Sequence, residues 1–303
     1  MRVSALGADE LAALLAGPGL HLRTGPALTR IRSRAPAIAE HVARLYGEHR
    51  WVPDECAEST VQVRIGRERL RPWRQRARLL IDGAPVMHPL AAGLAVPMLE
   101  WAMNWVVASR AHRHLLLHAA VAERDGRALL LPGASGAGKT TLCALLVARG
   151  WRLLSDEFAI IDPARGSCVP MPRPPSFKND AIAIARAAFP DGVFAPEYRR
   201  AAKGTLCYMR PPLDAVAREM ENAAPALVVL PRFAPGTGCD PRPLGPAQLH
   251  AALAGNAMNY GALGEAGFRC VAGLAGALPA WRLAYDDTER ALGWLEATTA
   301  AAR

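Results

Sequence analysis

Apolar and polar positions along the chain recur with the periods of strands and helices, and they predict an ordered series of both. Among the first 88 residues, Ala27 to Arg32 is typical of a strand, and Pro36 to Tyr46 predicts an amphipathic helix that begins with proline. Two further runs, which begin at Thr60 and Arg76, have the pattern of strands. No spacing typical of catalytic residues occurs here. We therefore predict that residues 1–88 form a small mixed α+β N-terminal domain.

The apolar stretch 89–109 approaches the length of a membrane span. It is interrupted by Glu100 and Asn104, and a charged residue at the centre of a span costs about 2.5–3.5 kcal/mol on insertion scales. We therefore predict a helix that is buried in the core or at a domain junction. Trp101 and Trp105 lie one turn apart, and we expect them to belong to its packing face.

Beyond this stretch, apolar runs typical of buried strands alternate with helical patterns, which indicates an α/β domain over residues 89–303. The predicted strands are 114–121, 128–131, 151–154, 158–161, 203–208, 226–230 and 281–285. The predicted helices are 140–149, 181–188, 246–255, 262–277 and one that begins at Thr288. A proline-rich segment, VPMPRPPSFKND, is too irregular for an element and is expected to be a loop that covers a site.

A glycine-rich motif joins the strand 128–131 to the helix 140–149. It reads GASGAGKT and satisfies the P-loop pattern G-x-x-x-x-G-K-[ST]. Its backbone N–H groups and the helix N-terminus can hold phosphate oxygens, while Lys139 would neutralise the β- and γ-phosphates and Thr140 would bind Mg²⁺. A chance match is the alternative, and the strand and helix on either side argue against it. The predicted nucleotide-binding residues are Gly133, Ala134, Ser135, Gly136, Ala137, Gly138, Lys139, Thr140 and Thr141.

Three titratable residues have positions that suggest chemistry beside this motif. Asp156 and Glu157 end the strand after the motif helix, at the edge where an α/β sheet presents its ligands, so they suit metal binding or proton abstraction. The alternative is two acids that end a strand in solvent. His118 lies on the strand that precedes the motif strand; a lone histidine on an apolar strand is more often a core residue.

The chain has a formal net charge of +9, which comes mostly from arginine, and only three lysines. Because we take the arginines as spread along the chain, we predict neither nucleic acid nor a membrane among the partners; an acidic peptide or protein suits the charge equally well. The six cysteines form no C-x-x-C pair, so neither zinc nor a disulfide framework is indicated. The N-terminus lacks a signal-peptide pattern, and the cytoplasm is the expected location.

The order of these motifs resembles the HPr kinase/phosphorylase family. HAAV from His118, GASGAGKT fifteen residues later and then RGWRLLSDE are similar to that family's strand histidine, its G-x-S-G-x-G-K-S loop and its R-G-H-x-L-x-A-D-D segment. The segments EWAMNW, RPPSFKND and KGTL are similar to the branch called HPr-related kinase A. The resemblance spans most of the chain and is specific from about residue 100 to 210.

The resemblance implies a P-loop domain of the PEP carboxykinase and HPr kinase type that uses ATP and Mg²⁺. Residue by residue, Asp156 matches the general base, His118 the active-site histidine and Thr140 the Mg²⁺-binding serine, and Glu157 replaces a second aspartate that binds metal. HPr kinases are hexamers, so the resemblance also admits a homo-oligomer. The downstream R-G-L-G-type segment of HPr kinases has no match here; Lys203 is its candidate replacement, and a surface lysine is the alternative.

We therefore predict a Mg²⁺-dependent kinase that transfers the γ-phosphoryl group of ATP to a Ser/Thr-type hydroxyl of a protein or peptide. The acceptor would be HPr-like or a modified peptide, and Arg173, Lys178 and Asn179 of the proline-rich segment are expected near the phosphates or the acceptor. A small-molecule hydroxyl kinase needs the same site. A nucleotide-binding sensor without turnover needs the P-loop alone.

Overall fold

A computed structural model describes residues 1–68, 71–201 and 204–302. The protein is mixed α/β with several sheets, which confirms the predicted fold class at that level. The helices are α1 (Ala8–Ala16), α2 (Pro36–Tyr46), α3 (Ala95–Arg110), α4 (Lys139–Ala148), α5 (Asp180–Ala188), α6 (Leu213–Ala217), α7 (Pro246–Asn256), α8 (Tyr260–Leu263), α9 (Glu265–Ala277) and α10 (Thr288–Ala301). The N-terminal strands are β1 (Leu20–Thr24), β2 (Ala27–Ser33), β3 (Ser59–Glu68), β4 (Arg71–Ile81), β5 (Ala84–Pro85) and β6 (Leu90–Ala91). The later strands are β7 (Leu115–Arg124), β8 (Arg127–Pro132), β9 (Arg152–Ser155), β10 (Phe158–Asp162), β11 (Ser167–Val169), β12 (Ser176–Lys178), β13 (Tyr198–Ala201), β14 (Gly204–Tyr208), β15 (Ala224–Phe233), β16 (Cys239–Pro243) and β17 (Ala280–Tyr285).

The N-terminal sheet has the order β1-β2-β3-β4-β5, with β6 also paired to β4. Its apolar face packs on α1, α2 and the buried face of α3, so that α3 belongs to this N-terminal core. A boundary between residues 88 and 89 stays a prediction, and the packing continues across it.

The larger sheet has the order β11-β10-β7-β8-β15-β17-β16, and β9 pairs with the other half of β7. Strands β8, β15 and β17 are parallel, and β7 is antiparallel to both β8 and β9. Consequently β9 runs in the direction of β8, and both strands end at the same edge. This direction is what brings the loop after β8 and the two acids after β9 together.

Most predicted elements of the longer domain are present. The stretch 89–109 contains α3, whose buried face includes Met98, Leu99 and Glu100. No helix in the described ranges has the length and apolar character needed to cross a membrane. The prediction of an irregular proline-rich segment is wrong at its end, where residues 176–178 form β12, which pairs with β14.

The prediction that arginines are evenly spread is wrong for one segment. Residues 64–78 carry seven arginines and a single acid, Glu68. Of these, residues 64–68 lie in β3 and residues 71–78 lie in its antiparallel partner β4, in which Trp73 is 77% exposed. We call residues 64–78 the basic hairpin. Its strand β4 pairs at Arg76 and Ala77 with β6.

Candidate functional site

The glycine-rich loop (residues 133–138) connects β8 to α4 at the carboxyl edge of the parallel strands. Gly138 has a φ of +94°, and a Cβ there would lie 2.3 Å from the hydroxyl oxygen of Tyr285 at the end of β17. The N–H of Phe233, at the end of β15, donates to the carbonyl of Ala137 at 3.4 Å. The loop is therefore held against two neighbouring strand ends, and only glycine fits at position 138.

Lys139, the first residue of α4, is buried beneath this loop. Its ammonium group donates to the carbonyl oxygens of Gly133 at 2.7 Å and Ala134 at 2.9 Å. It also lies 3.2 Å from Nε2 of His118. These contacts place a positive charge directly under the loop, where the motif requires it.

His118 lies on β7 opposite Phe158 of β10, and its ring faces Lys139 and Glu157. Its Nδ1 is 3.3 Å from the Glu157 carbonyl oxygen and 3.8 Å from the Glu157 carboxylate. Burial and the charge of Lys139 lower the pKa of His118, and the Glu157 carboxylate opposes them. A neutral ring accepts a hydrogen bond from Lys139 through Nε2, so His118 orients that ammonium group.

Asp156 is a buried carboxyl group at the end of β9. Its Oδ2 accepts the N–H of Ser176 at 3.2 Å, while its buried Oδ1 has no hydrogen-bond partner among the described residues. Burial and the neighbouring Glu157 charge raise the pKa of Asp156 to about 6, and the Ser176 N–H, the Thr140 hydroxyl and Lys178 oppose that rise. A carboxyl group with this pKa is ionised at neutral pH and is basic enough to accept a proton.

The loop, the acids and β12 enclose a pocket of about 380 Å³, which we call the loop pocket. Asn179, at its border, has a positive φ of 51° and accepts the Thr205 N–H at 3.1 Å. Lys203 lies outside the described residues. The loop pocket is lined by His118, Ser135, Gly136, Gly138, Lys139, Thr140, Thr141, Asp156, Glu157, Ser176, Phe177, Lys178, Asn179 and Ala181.

A second, larger cavity of about 620 Å³ adjoins the loop pocket, and we call it the apolar cavity. The two share His118, Asp156, Glu157, Ser176 and Lys178. The rest of the apolar cavity is formed mainly by apolar side chains of residues 87–108 together with Phe158, Met171, Leu206, Tyr208 and Met258.

The two tryptophans of α3 differ from their prediction. Instead of packing inside the core, Trp101 and Trp105 line the apolar cavity and remain 44% and 39% exposed. The reason is that the opposite face of α3 packs on the N-terminal sheet. The one-turn spacing places both rings on one face of α3, as expected, but the sequence does not show which face of the helix packs on the sheet.

Arg173, predicted near the phosphates or the acceptor, is not available to a phosphate; it lines the apolar cavity, and its place beside an acceptor stays a prediction. Its guanidinium is buried and donates to the Glu100 carboxylate at 2.6 Å and to the Asn104 side chain. The same carboxylate contacts His41 at 2.7 Å and accepts the Tyr46 hydroxyl at 2.8 Å. This buried network joins α2, α3 and the segment before β12, and so supports the wall that the two pockets share.

The residues at the loop pocket fit the nucleotide and the metal that the motif predicts. Gly133, Gly136 and Gly138 all have positive φ values, from +87° to +153°, a backbone conformation that favours glycine and is typical of anion-binding loops. A hydroxyl from Thr140 and a carboxylate from Glu157 are the oxygen donors that Mg²⁺ prefers. Among the described residues, no three His, Cys, Asp or Glu side chains form a metal site by themselves. A Mg²⁺ site built partly on phosphate oxygens needs no such cluster.

Sequence reasoning missed two features of the candidate site. The hydrogen bond from the Ser176 N–H to Asp156 could not be predicted, because the two residues lie in separate elements. The apolar cavity was missed as well, although two large aromatics at helical spacing, each next to a polar residue (Glu100 or Asn104), were a signal for it.

The comparisons with known proteins give one partial match. Residues 91–174, less than half of the chain, match a family model described as SynChlorMet cassette protein ScmC. The matched segment begins in β6 and includes α3, the glycine-rich loop, both acids and Arg173. No curated protein matches the chain. In the segment 91–174, this chain is similar to the ScmC family.

Proposed function

We propose that the protein is a Mg²⁺-dependent kinase that transfers the γ-phosphoryl group of ATP to a Ser/Thr-type hydroxyl of a protein or peptide. The observation that carries the proposal is the shared wall of the two pockets. A buried carboxyl group, Asp156, borders both the pocket beneath the P-loop and a second cavity large enough for an acceptor. A site that only bound a nucleotide would not need the second cavity.

The roles of the residues follow from their contacts. Backbone N–H groups of residues 133–141 would bind the phosphates, and Lys139 would offset the charge that develops between the β- and γ-phosphates. Asp156 would take the proton of the acceptor hydroxyl. At the same time the hydroxyl oxygen would bond to the γ-phosphorus, and the bond between the γ-phosphorus and the β–γ bridging oxygen would break. His118 holds Lys139 in place. Mg²⁺, held by Thr140 and Glu157, would supply further positive charge at the transferring group.

The resemblance to HPr kinases supports this proposal and its finer description of the fold as a P-loop domain of the HPr kinase type. It covers the loop, Asp156 and His118. It does not extend to the R-G-L-G-type segment, so we propose phosphoryl transfer alone and not the reverse, dephosphorylating reaction.

The second candidate, a kinase for a small hydroxyl compound, is favoured by the volume of the apolar cavity, which lies in the range of small-molecule sites, roughly 300–1,000 Å³. The basic hairpin favours a polypeptide instead. Its strand β4 pairs with β6, and Leu90 of β6 lines the apolar cavity. A row of exposed arginines beside the cavity suits the acidic residues of a longer chain.

The test uses γ-labelled ATP, Mg²⁺ and a dephosphorylated lysate of the native host. We expect one polypeptide to be labelled by the wild type. Lys139→Ala is expected to abolish labelling and to weaken nucleotide binding by about 10- to 100-fold, because a charge-assisted contact to phosphate is worth about 1.5–3 kcal/mol. Isothermal titration with ATP measures that loss.

The outcomes separate the candidates. Labelled small molecules without a labelled polypeptide would favour the second candidate. Tight ATP binding without consumption of ATP would contradict both kinase proposals and support a sensor. Arg242→Met, which removes an exposed guanidinium on β16, is the matched control and is expected to label normally.

Charge reversal on the basic hairpin gives a separate prediction. The triple variant Arg67→Glu/Arg71→Glu/Arg74→Glu is expected to raise KM for a serine peptide rich in Asp and Glu by about tenfold, with kcat unchanged, because each lost surface pair is worth about 0.2–1 kcal/mol. KM is measured at low and high salt, and the difference should shrink as screening increases.

A serine peptide in which Asn and Gln replace the acids serves as the control substrate, and its KM should not change. Reversal of two exposed arginines elsewhere, Arg242→Glu/Arg269→Glu, is the control variant. An equal rise in KM for both peptides would argue against charge recognition by the hairpin.

A further inference from the structure

We infer that the apolar cavity is the acceptor site and that it takes a peptide segment with a bulky apolar side chain next to the serine or threonine. The inference rests on the proposed kinase function and names its substrate class.

The position of the cavity determines what reaches it. Its contact with the loop pocket is made by Asp156, Glu157 and His118, which line both. The carboxyl group of Asp156 borders both pockets, and its Oδ2 accepts the Ser176 N–H. A hydroxyl that reaches this carboxyl group from the apolar cavity would lie between the base and the γ-phosphoryl group, and the group that carries it would occupy the apolar cavity.

The walls of the cavity away from the loop pocket, formed by α3 and the segment before it, are unsuited to a charged or strongly polar occupant. Met98, Trp101 and Trp105 come from α3, and Leu90 and Leu94 come from the segment that precedes it. These side chains offer apolar surface and no complementary charge. An occupant with Asp, Glu, Lys or Asn next to its hydroxyl would lose hydration without gaining hydrogen bonds from these walls.

The two charged residues of the far wall do not change this conclusion. Glu100 and Arg173 also line the cavity, but they bind each other at 2.6 Å, and their remaining contacts are to His41, Tyr46 and Asn104. The pair is compensated within the protein. It therefore presents little net charge to a ligand.

The exposed tryptophans also favour an apolar ligand, because such a ligand would bury their apolar surface. Trp101 and Trp105 are among the large apolar side chains that remain exposed, and both border the cavity. An apolar side chain that enters the cavity would cover part of both rings. Full burial of a Leu or Phe side chain corresponds to a gain of about 10- to 100-fold in affinity.

A polypeptide is a better occupant than a small alcohol because of the basic hairpin beside the cavity. Strand β4 pairs with β6 next to Leu90, so a chain leaving the cavity on that side would meet exposed arginines. A small alcohol would fill the cavity without reaching them.

The test uses neutral, end-blocked peptides that differ only in the residues beside one serine, either Phe and Leu or Gly and Asn. Phosphorylation is measured with ATP and Mg²⁺, and binding is measured separately by tryptophan fluorescence. We expect kcat/KM to be about 10- to 100-fold higher for the apolar peptide. Fluorescence should change only with that peptide, since Trp101 and Trp105 lie at its site.

Two variants make the test specific to the cavity. Trp101→Ala/Trp105→Ala is expected to remove the preference for the apolar peptide and the fluorescence change. Phe268→Ala, which removes an exposed aromatic side chain of α9 outside both the cavity lining and the basic hairpin, is expected to keep both.

The two readouts separate this inference from the proposed function. Transfer to both peptides at equal kcat/KM would overturn the inference and leave the kinase proposal intact. A fluorescence change with the apolar peptide but no transfer would overturn the kinase proposal and keep the ligand class. Absence of any fluorescence change, or a change with a small apolar alcohol and not with peptides, would overturn the inference.

Discussion

Replacement of Asp156 by asparagine is expected to lower kcat by about 10²- to 10⁴-fold, the range for loss of a general base. The amide keeps the size of the side chain and an oxygen that can accept the Ser176 N–H. It cannot take the hydroxyl proton. Nucleotide affinity should therefore be unchanged, because in the proposed site the phosphates are bound by the loop and Lys139. Single-turnover transfer and ATP titration together measure the two effects.

The pH dependence gives an independent check on the same residue. Because the pKa of Asp156 is raised to about 6, kcat/KM of the wild type should rise with pH and level off above about 6. Activity that remains high at pH 5, or an asparagine variant with wild-type kcat, would contradict a role for Asp156 as the base.

The same substitution should make the protein more stable at neutral pH. The folded pKa of Asp156, about 6, exceeds the usual value of 3.8, so the folded state holds this proton more tightly than the unfolded chain does. Ionisation therefore costs folding free energy as pH rises from 3.8 to about 6, and the full cost applies above that. The asparagine side chain cannot ionise, so we expect Asp156→Asn to raise the free energy of unfolding by on the order of 2 kcal/mol at pH 7.5.

Urea unfolding at pH 7.5 and pH 4 measures this gain, which should be much smaller at the lower pH. Asp240→Asn, on the edge strand β16, is the control and should change stability by less than about 0.5 kcal/mol. A variant that is less stable than the wild type at pH 7.5 would show that the ionised carboxylate stabilises the fold. Activity and stability are thus expected to change in opposite directions at one residue.

The largest loss of stability is expected from Arg173→Met. This change leaves the buried Glu100 carboxylate without its cationic partner, and removal of one member of a buried ion pair typically costs about 3–5 kcal/mol. Burial alone would raise the pKa of Glu100, but Arg173 and the hydrogen bonds from His41 and Tyr46 outweigh it and lower that pKa to about 2. The contribution of ionised Glu100 to the free energy of unfolding is therefore fully present above pH 4.5 and is lost as pH falls toward 2.

Two comparisons make this prediction specific. Glu100→Gln/Arg173→Met removes both charges and should recover part of the loss, since no unpaired charge remains buried. Arg242→Met breaks an exposed pair with Asp240 and should cost less than about 1 kcal/mol. A loss below about 1 kcal/mol for Arg173→Met, measured by urea unfolding at pH 7, would mean that the network contributes little to stability.

Much of the chain's secondary structure and the predicted nucleotide site could be read from local patterns. The helix Pro36–Tyr46 was predicted at its observed bounds because proline at the first position and an apolar stripe are both local signals. The motif at residues 133–140 was readable for a similar reason. Its glycines, lysine and threonine lie within eight consecutive residues, so the chain itself keeps them close together without contacts from distant elements.

Other features depended on contacts between distant elements. Arg173 stood in a segment expected to cover a site, yet it pairs with Glu100, 73 residues earlier. The concentration of arginines in the basic hairpin is evident in the amino-acid sequence, but the position of the hairpin beside the cavity depends on the pairing of β4 with β6. Short edge elements such as β1 and β16 carried too weak a pattern to be predicted.

The identities and spacings of residues along the chain were sufficient to predict a mixed α/β protein, the glycine-rich loop and the acids at Asp156 and Glu157. These depend on backbone turns and on periods of a few residues. Only the packed chain decided that Asp156 is buried against Ser176, that Arg173 is paired with Glu100 and that the two tryptophans of α3 line an apolar cavity. Burial, pKa and cavity shape arise from elements far apart in sequence, and no local pattern encodes which of their faces meet.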